Sequence, residues 1–179
     1  MVIEMSDRKN SLACIALVIG LVGVAFGGYA VFTSINNSYV LPKARAYVGL
    51  SGQALSNSGN AMLNFTNITY DSHGAFNLTS DLYVVPETGY YQVIAQYAVE
   101  AVDGDFFKIY IKGNSTIYSS RSYTASATTN TFTVAIEDIL SLVKGSSFSI
   151  WTYSYHVAAG SRDIFAAEAY TFVSIVKVP

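Results

Sequence analysis

Charge is scarce in this chain. Asp, Glu, Lys and Arg make up 12 % of its 179 residues, and the formal net charge is −2. A nucleic-acid surface, which needs clustered Lys and Arg, is excluded. Cysteine is nearly absent: Cys14 stands alone in an apolar N-terminal run. No intrachain disulfide and no Cys-based zinc site is therefore available. Histidine is limited to His73 and His156, and no Gly-x-Ser-x-Gly elbow, phosphate loop or dinucleotide fingerprint occurs. A catalytic triad needs a third partner and a nucleophile in a strained turn. We read His73 as a turn residue and His156 as a strand-end surface residue, and expect no catalytic residue and no enzyme. What is plentiful is Tyr and Phe, fourteen and ten of them, with much Thr and Ser. That is the composition of a β-rich protein.

The other abundance is a single long apolar run. Residues 11–34 carry no charge, and Leu12–Phe32 is almost unbroken. A bilayer-crossing helix needs about 20 such residues. Arg8 and Lys9 precede the run, and the next charge is Lys43. The positive flank stays cytoplasmic, which predicts one span with its N-terminus inside and all later residues outside. The alternative is a cleaved signal peptide with Ala25-Phe26-Gly27 at its cut. A pilin-type leader lacks the small residue after Lys9, and a soluble helix would show a polar face. Ala16, Gly20, Gly23 and Gly27 repeat at small-x-x-x-small spacing, which lets two helices approach closely in lipid. The expected organisation is a cytoplasmic 1–10, a transmembrane helix over 11–34, a short connector over 35–43, and one domain over 44–179.

In that domain the most informative stretch is Asn64 to Tyr97. It reads strand, turn, strand, turn, long strand. Asp71-Ser72-His73-Gly74 pairs an Asp that bonds its own backbone with a Gly that tolerates positive φ, and Pro86-Glu87-Thr88-Gly89 is a second reversal. In the long strand from Gly89 to Glu100, Tyr91, Val93, Ala95, Tyr97 and Val99 share one face, assigned to the core. Asp103-Gly104 signals a hairpin. Phe106–Lys112 places Phe107, Ile109 and Ile111 inward and Lys108, Tyr110 and Lys112 outward. Further strands are predicted over 44–50, 61–66, 115–119, 130–137, 148–156 and 166–178. Loops are expected over 51–60, 120–129 and 157–163. Many short strands, regular turns and no helical segment argue for a two-sheet sandwich.

The order Phe65, Asn67, Tyr70-Asp71, Gly74, Phe76, Val85-Pro86, Gly89-Tyr90-Tyr91 resembles the signature segment of the C1q-like globular domain, a fold related to tumour necrosis factor. The resemblance extends over about residues 44–179. It implies an all-β, two-sheet antiparallel jelly roll of about ten strands, here preceded by one transmembrane helix, that assembles as a homotrimer. The sequence departs from the family pattern in a longer loop between Phe76 and Pro86 and in Ser146 where an Asp is usual. It also has Ala169 near a usual Gly, and no collagen-like Gly-X-Y stalk.

The aromatic excess fits such an assembly. Tyr90, Tyr110, Trp151, Tyr153, Tyr155, Tyr170 and Phe172 exceed what one sandwich buries, and Tyr and Trp favour interfaces. They are the expected contacts about a three-fold axis. Some C1q-like domains bind calcium, which makes Asp71, Asp103 and Asp105 the candidate ligands. With no Asp-x-Asp-x-Asp loop, solvated turn acids are the preferred reading and no cofactor is expected. Asn36, Asn64, Asn67, Asn77 and Asn114 head Asn-x-Ser/Thr sequons and are glycosylation candidates. The expected protein is a non-catalytic, membrane-anchored, extracellular binding or adhesion module. Its partners are itself, the lipid bilayer, and a protein or carbohydrate ligand. The alternative is a structural component of a cell-surface layer or assembled particle.

Overall fold

A computed structural model describes residues 39–49 and 51–179. The helix over 11–34, the packing residues Ala16, Gly20, Gly23 and Gly27, and the sequon at Asn36 lie outside the described residues. No helix among the described residues is long and apolar enough to cross a membrane.

Residues 41–179 pack as one compact unit. Its strands are β1 (Lys43–Tyr47), β2 (Ala54–Leu55), β3 (Gly59–Met62), β4 (Asn67–Asp71), β5 (Phe76–Asn77), β6 (Leu82–Val84), β7 (Gly89–Ala101), β8 (Phe106–Gly113), β9 (Ile117–Thr124), β10 (Thr129–Leu142), β11 (Ser147–Tyr155), β12 (Arg162–Asp163) and β13 (Phe172–Val178). Sheet 1 has the order β10-β7-β13-β1-β4. Sheet 2 has the order β5-β6-β11-β8-β9, with β3 beside the second half of β11. β2 and β12 form a short ribbon. Every pairing is antiparallel. The chain crosses repeatedly between the two layers, which is the jelly-roll arrangement.

Period-2 patterning places the core. On β7 the expected set Tyr91, Val93, Ala95, Tyr97 and Val99 is fully buried, as are Phe107, Ile109 and Ile111 on β8. Val173 and Ile175 of β13 and Ala44 and Ala46 of β1 complete the inner face of sheet 1. Each fully buried large side chain contributes about 1.5–3 kcal/mol relative to exposure. Tyr97 is anchored as well as buried, with its hydroxyl 2.7 Å from Thr152 Oγ1 of the opposite sheet. Burial lifts the Tyr97 phenol well above the usual tyrosine range, although the Thr152 hydrogen bond acts the other way.

The turn chemistry holds at Asp71–Gly74, but this turn and Pro86–Gly89 both pass the chain between sheets, from β4 to β5 and from β6 to β7, rather than reversing it within one. Asp71 Oδ2 accepts from the Phe76 amide at 2.8 Å and Oδ1 from the His73 amide at 3.2 Å, while Gly74 takes φ of +58°. The lengthened loop is a tight hairpin, β5 to β6, with Phe76 opposite Tyr83. Asn77 Oδ1 accepts from the amides of Thr79 and Ser80 inside it.

Several expectations are corrected. Asp103-Gly104 does turn the chain, with Gly104 at φ +87°, but the flanking strands join different sheets. It is a crossover, because β7 spends both edges on β10 and β13. β10 runs on to Leu142, since Leu140 and Leu142 keep the inward alternation opposite Tyr91 and Gly89. β9 extends to Thr124 through a stretch expected to be loop. The closing strand starts at Phe172, because residues before it fold back: Thr171 Oγ1 donates to the Phe165 carbonyl at 2.7 Å. The strand expected over 61–66 ends at Met62, and the 51–60 loop contains β2 and the start of β3. His156 is not a surface residue. It is 2 % exposed, its ring lies against Phe107, and its Nδ1 is 2.9 Å from the Gly160 carbonyl.

Candidate functional site

Antiparallel partners share a face of their sheet, so the register assigns every outward side chain. The seven aromatic interface candidates fall on two opposite outer faces. Tyr90 and Phe172 lie on the outside of sheet 1, and Tyr170 is exposed just ahead of β13. Tyr110, Trp151, Tyr153 and Tyr155 lie on the outside of sheet 2. The structure does not bring these two groups together.

On sheet 1, two cross-strand rows stand out. Ile139, Gln92 and Val176 form one; Ser141, Tyr90 and Val178 form the next. Tyr90 is 61 % exposed and Ile139 57 %. Ile139 and Val176 escaped the sequence reading. Their signal was present in β10 and β13, where apolar residues occur on both faces of one strand. The other half of this face carries a polar clamp. The Arg45 guanidinium sits 3.8 Å over the Phe172 ring, and Arg45 Nε donates to Glu168 Oε1 at 2.9 Å. Thr69 Oγ1 donates to the same oxygen at 2.7 Å. The hydrogen bonds from Thr69 and Arg45 hold the Glu168 carboxyl below the usual glutamate range.

Sheet 2 covers most of its outer rings, although Tyr155 at the end of β11 stays 48 % exposed. Tyr110 is only 6 % exposed, which corrects its assignment as a free contact. Trp151 lies beside it at 6.5 Å between near-parallel rings, and the Tyr110 hydroxyl donates to Asn60 Oδ1 at 2.6 Å. Lys108 Nζ is 5.7 Å from the Tyr110 ring and Lys112 Nζ is 4.4 Å from the Trp151 ring. Trp151 Nε1 donates to Ser149 Oγ at 2.9 Å. Beyond Trp151 the surface dips into a cavity of about 280 Å³, with Lys112, Ser147 and Ser149 in its lining.

The candidate calcium ligands are occupied otherwise. Both Asp71 oxygens serve their own turn. Asp105 is fully buried, and Arg162 Nε donates to its Oδ2 at 2.7 Å. The amides of Val102 and Val157 add bonds of 3.0 and 2.9 Å. Burial alone would raise the Asp105 pKa, but these donors outweigh it and hold the carboxyl below its ordinary value. Asp103 is exposed in the same turn. No group of three or more His, Cys, Asp or Glu positioned to hold a metal occurs among the described residues. Of the sequons, Asn64, Asn77 and Asn114 are exposed, whereas Asn67 is half-buried and donates to the Tyr47 hydroxyl at 3.0 Å.

No family model matches the chain, and no curated protein matches it. Solved structures do. The globular domain of zebrafish complement 1qA protein superposes with a TM-score of 0.56 at 14 % identity, over 78 % of this chain and 98 % of that one. Eiger TNF from S. frugiperda gives 0.56 at 14 % identity, over 78 % and 94 %. Murine APRIL gives 0.58 at 11 % identity, over 78 % and 100 %. At these identities the likeness establishes the fold. The domain is a jelly roll of the C1q and tumour necrosis factor type.

Proposed function

We propose that the chain is a non-catalytic, homotrimeric binding or adhesion module, anchored in a membrane by its N-terminal apolar run and facing outward. The observation that carries self-association is the exposed apolar half of sheet 1. Tyr90, Ile139 and Val176 stand exposed on three adjacent strands, Ile139 and Val176 flanking Gln92 and Tyr90 diagonal to both. Exposed apolar clusters mark interfaces, and closed symmetry is the commonest way to cover identical patches. Membrane anchoring is supported by the length of the uncharged run and its Arg8-Lys9 flank.

The test is the mass of the detergent-dispersed full chain by light scattering. A discrete trimer is expected. A monomer at micromolar concentration overturns the assembly, and open-ended growth points to a surface-layer role. Protease protection in sealed vesicles tests the orientation: the domain should be cleaved only from outside.

A further inference from the structure

The strands of sheet 2 hold a charge pattern unlike the rest of the chain. β3, β5, β6, β8, β9 and β11 contain Lys108, Lys112 and Arg121 and not one Asp or Glu. The whole chain is net acidic, so this segregation is local. On the outer face, Lys112 has no carboxylate within salt-bridge distance among the described residues; its ammonium rests on the Trp151 ring. Beside it lies the 280 Å³ cavity, lined by Trp151, Lys112, Asn114, Ser80, Ser147 and Ser149 among others. The floor is low because β11 presents Ser147 and Ser149 where its outer face next carries Trp151 and Tyr153.

We propose that this cavity is a binding site for one ring of an acidic saccharide, a hexuronic acid unit. The inference rests on reading the domain as a binding module and names its ligand class. Three features select that chemistry. The indole wall offers an apolar surface to the C–H side of a pyranose ring. The serine hydroxyls and the Asn114 amide are short donors and acceptors suited to sugar hydroxyls. Lys112 supplies the only charge in the lining, and its cation–π tether is weaker than the charge-assisted bond that a ligand carboxylate would offer. The volume lies just below the ~300 Å³ at which drug-sized pockets begin, which suits a single ring. An added peptide strand is disfavoured, because both edges of β11 are taken, by β8 on one side and by β6 and β3 on the other.

Trp151 is the only tryptophan in the chain, so its fluorescence reports on the site directly. The full-length chain in detergent, produced without N-glycosylation so that Asn114 is bare, is titrated with a galacturonic acid trimer. A galactose trimer, sodium acetate and polyglutamate serve as the other probes. The proposal expects a saturable fluorescence change with the uronic acid trimer. The galactose trimer should bind at least ~10-fold more weakly, as should the uronic acid trimer to Lys112→Gln. Calorimetry on Trp151→Phe, which keeps a ring, should show weakened but measurable binding. An equal response to acetate alone, stronger binding of polyglutamate, indifference to Lys112→Gln, or no response at all overturns it. Light scattering on the same samples separates the two readings. A trimer that binds no uronic acid defeats only the ligand, and a monomer that binds it defeats only the assembly.

Discussion

The two outer faces of the sandwich are both rich in aromatic residues, yet they behave oppositely. The centre of sheet 2 tiles its rings: Tyr110 hydrogen-bonds Asn60, Trp151 bonds Ser149, and lysines lie over both. Of its four interface candidates only Tyr155, at the strand end, stays exposed. Half of sheet 1 leaves Tyr90, Ile139 and Val176 in the open with no such cover. Aromatic content alone therefore does not mark an interface. What matters is whether a face satisfies itself within the protomer. Charge makes the same division, since sheet 1 carries Asp71, Glu100, Glu137 and Asp138 on its strands and sheet 2 carries no acid on any.

The largest expected effect removes both faces together. Asp105→Ala leaves Arg162 buried and unpaired and frees the amides of Val102 and Val157, and it should cost about 3–5 kcal/mol in chemical denaturation. The pH dependence follows. The folded Asp105 pKa lies below its ordinary value of 3.8, so its contribution is complete above the unfolded pKa. It disappears as pH falls through the lower, folded one. An acid-denaturation profile that the alanine variant leaves unchanged would count against this.

Next, Tyr90→Asp with Ile139→Asp should dissociate the assembly while leaving the far-ultraviolet spectrum unchanged. The loss should be at least ~2 kcal/mol per protomer contact, the scale of a central interface residue. Lys112→Gln should do the reverse, keeping the trimer and weakening uronic acid binding about tenfold. If either substitution disturbs both readouts, the two faces are not independent. The smallest effect is expected from Asp81→Asn. Burial raises the Asp81 carboxyl above 3.8, although the Phe65 amide donates to it at 2.8 Å. Ionising it is unfavourable in the fold, and that penalty builds as pH rises from the unfolded value of 3.8 to the raised folded value, above which it is complete. Asparagine keeps the acceptor and tolerates the φ of +53°. The variant should therefore gain slightly in stability at pH 7 and nothing at pH 3, read by thermal melts at both.

Much of the architecture is legible in the sequence. The inward sets of β7 and β8, the Asp71–Gly74 turn and the two-sheet class were all readable, because side-chain alternation and turn chemistry act over a few residues. The site was less legible. Tyr110 looks exposed by alternation, yet Asn60 and Trp151, distant in sequence, cover it. His156 looks like a strand-end residue, yet its backbone amide donates to Asn57 Oδ1 across 99 positions and its ring is enclosed. The Asp103-Gly104 turn reads as a hairpin, yet it carries the chain from one layer to the other.

Residue order alone settled which side of each strand is apolar, since the pleat alternates side chains whatever the neighbour. Packing decided which strands became neighbours, which separated the seven aromatics onto opposite faces and gathered the unpaired lysine, the indole and the serines around one hollow. Pairing is a contest among distant segments for the same edges, and only the assembled chain shows which of them won.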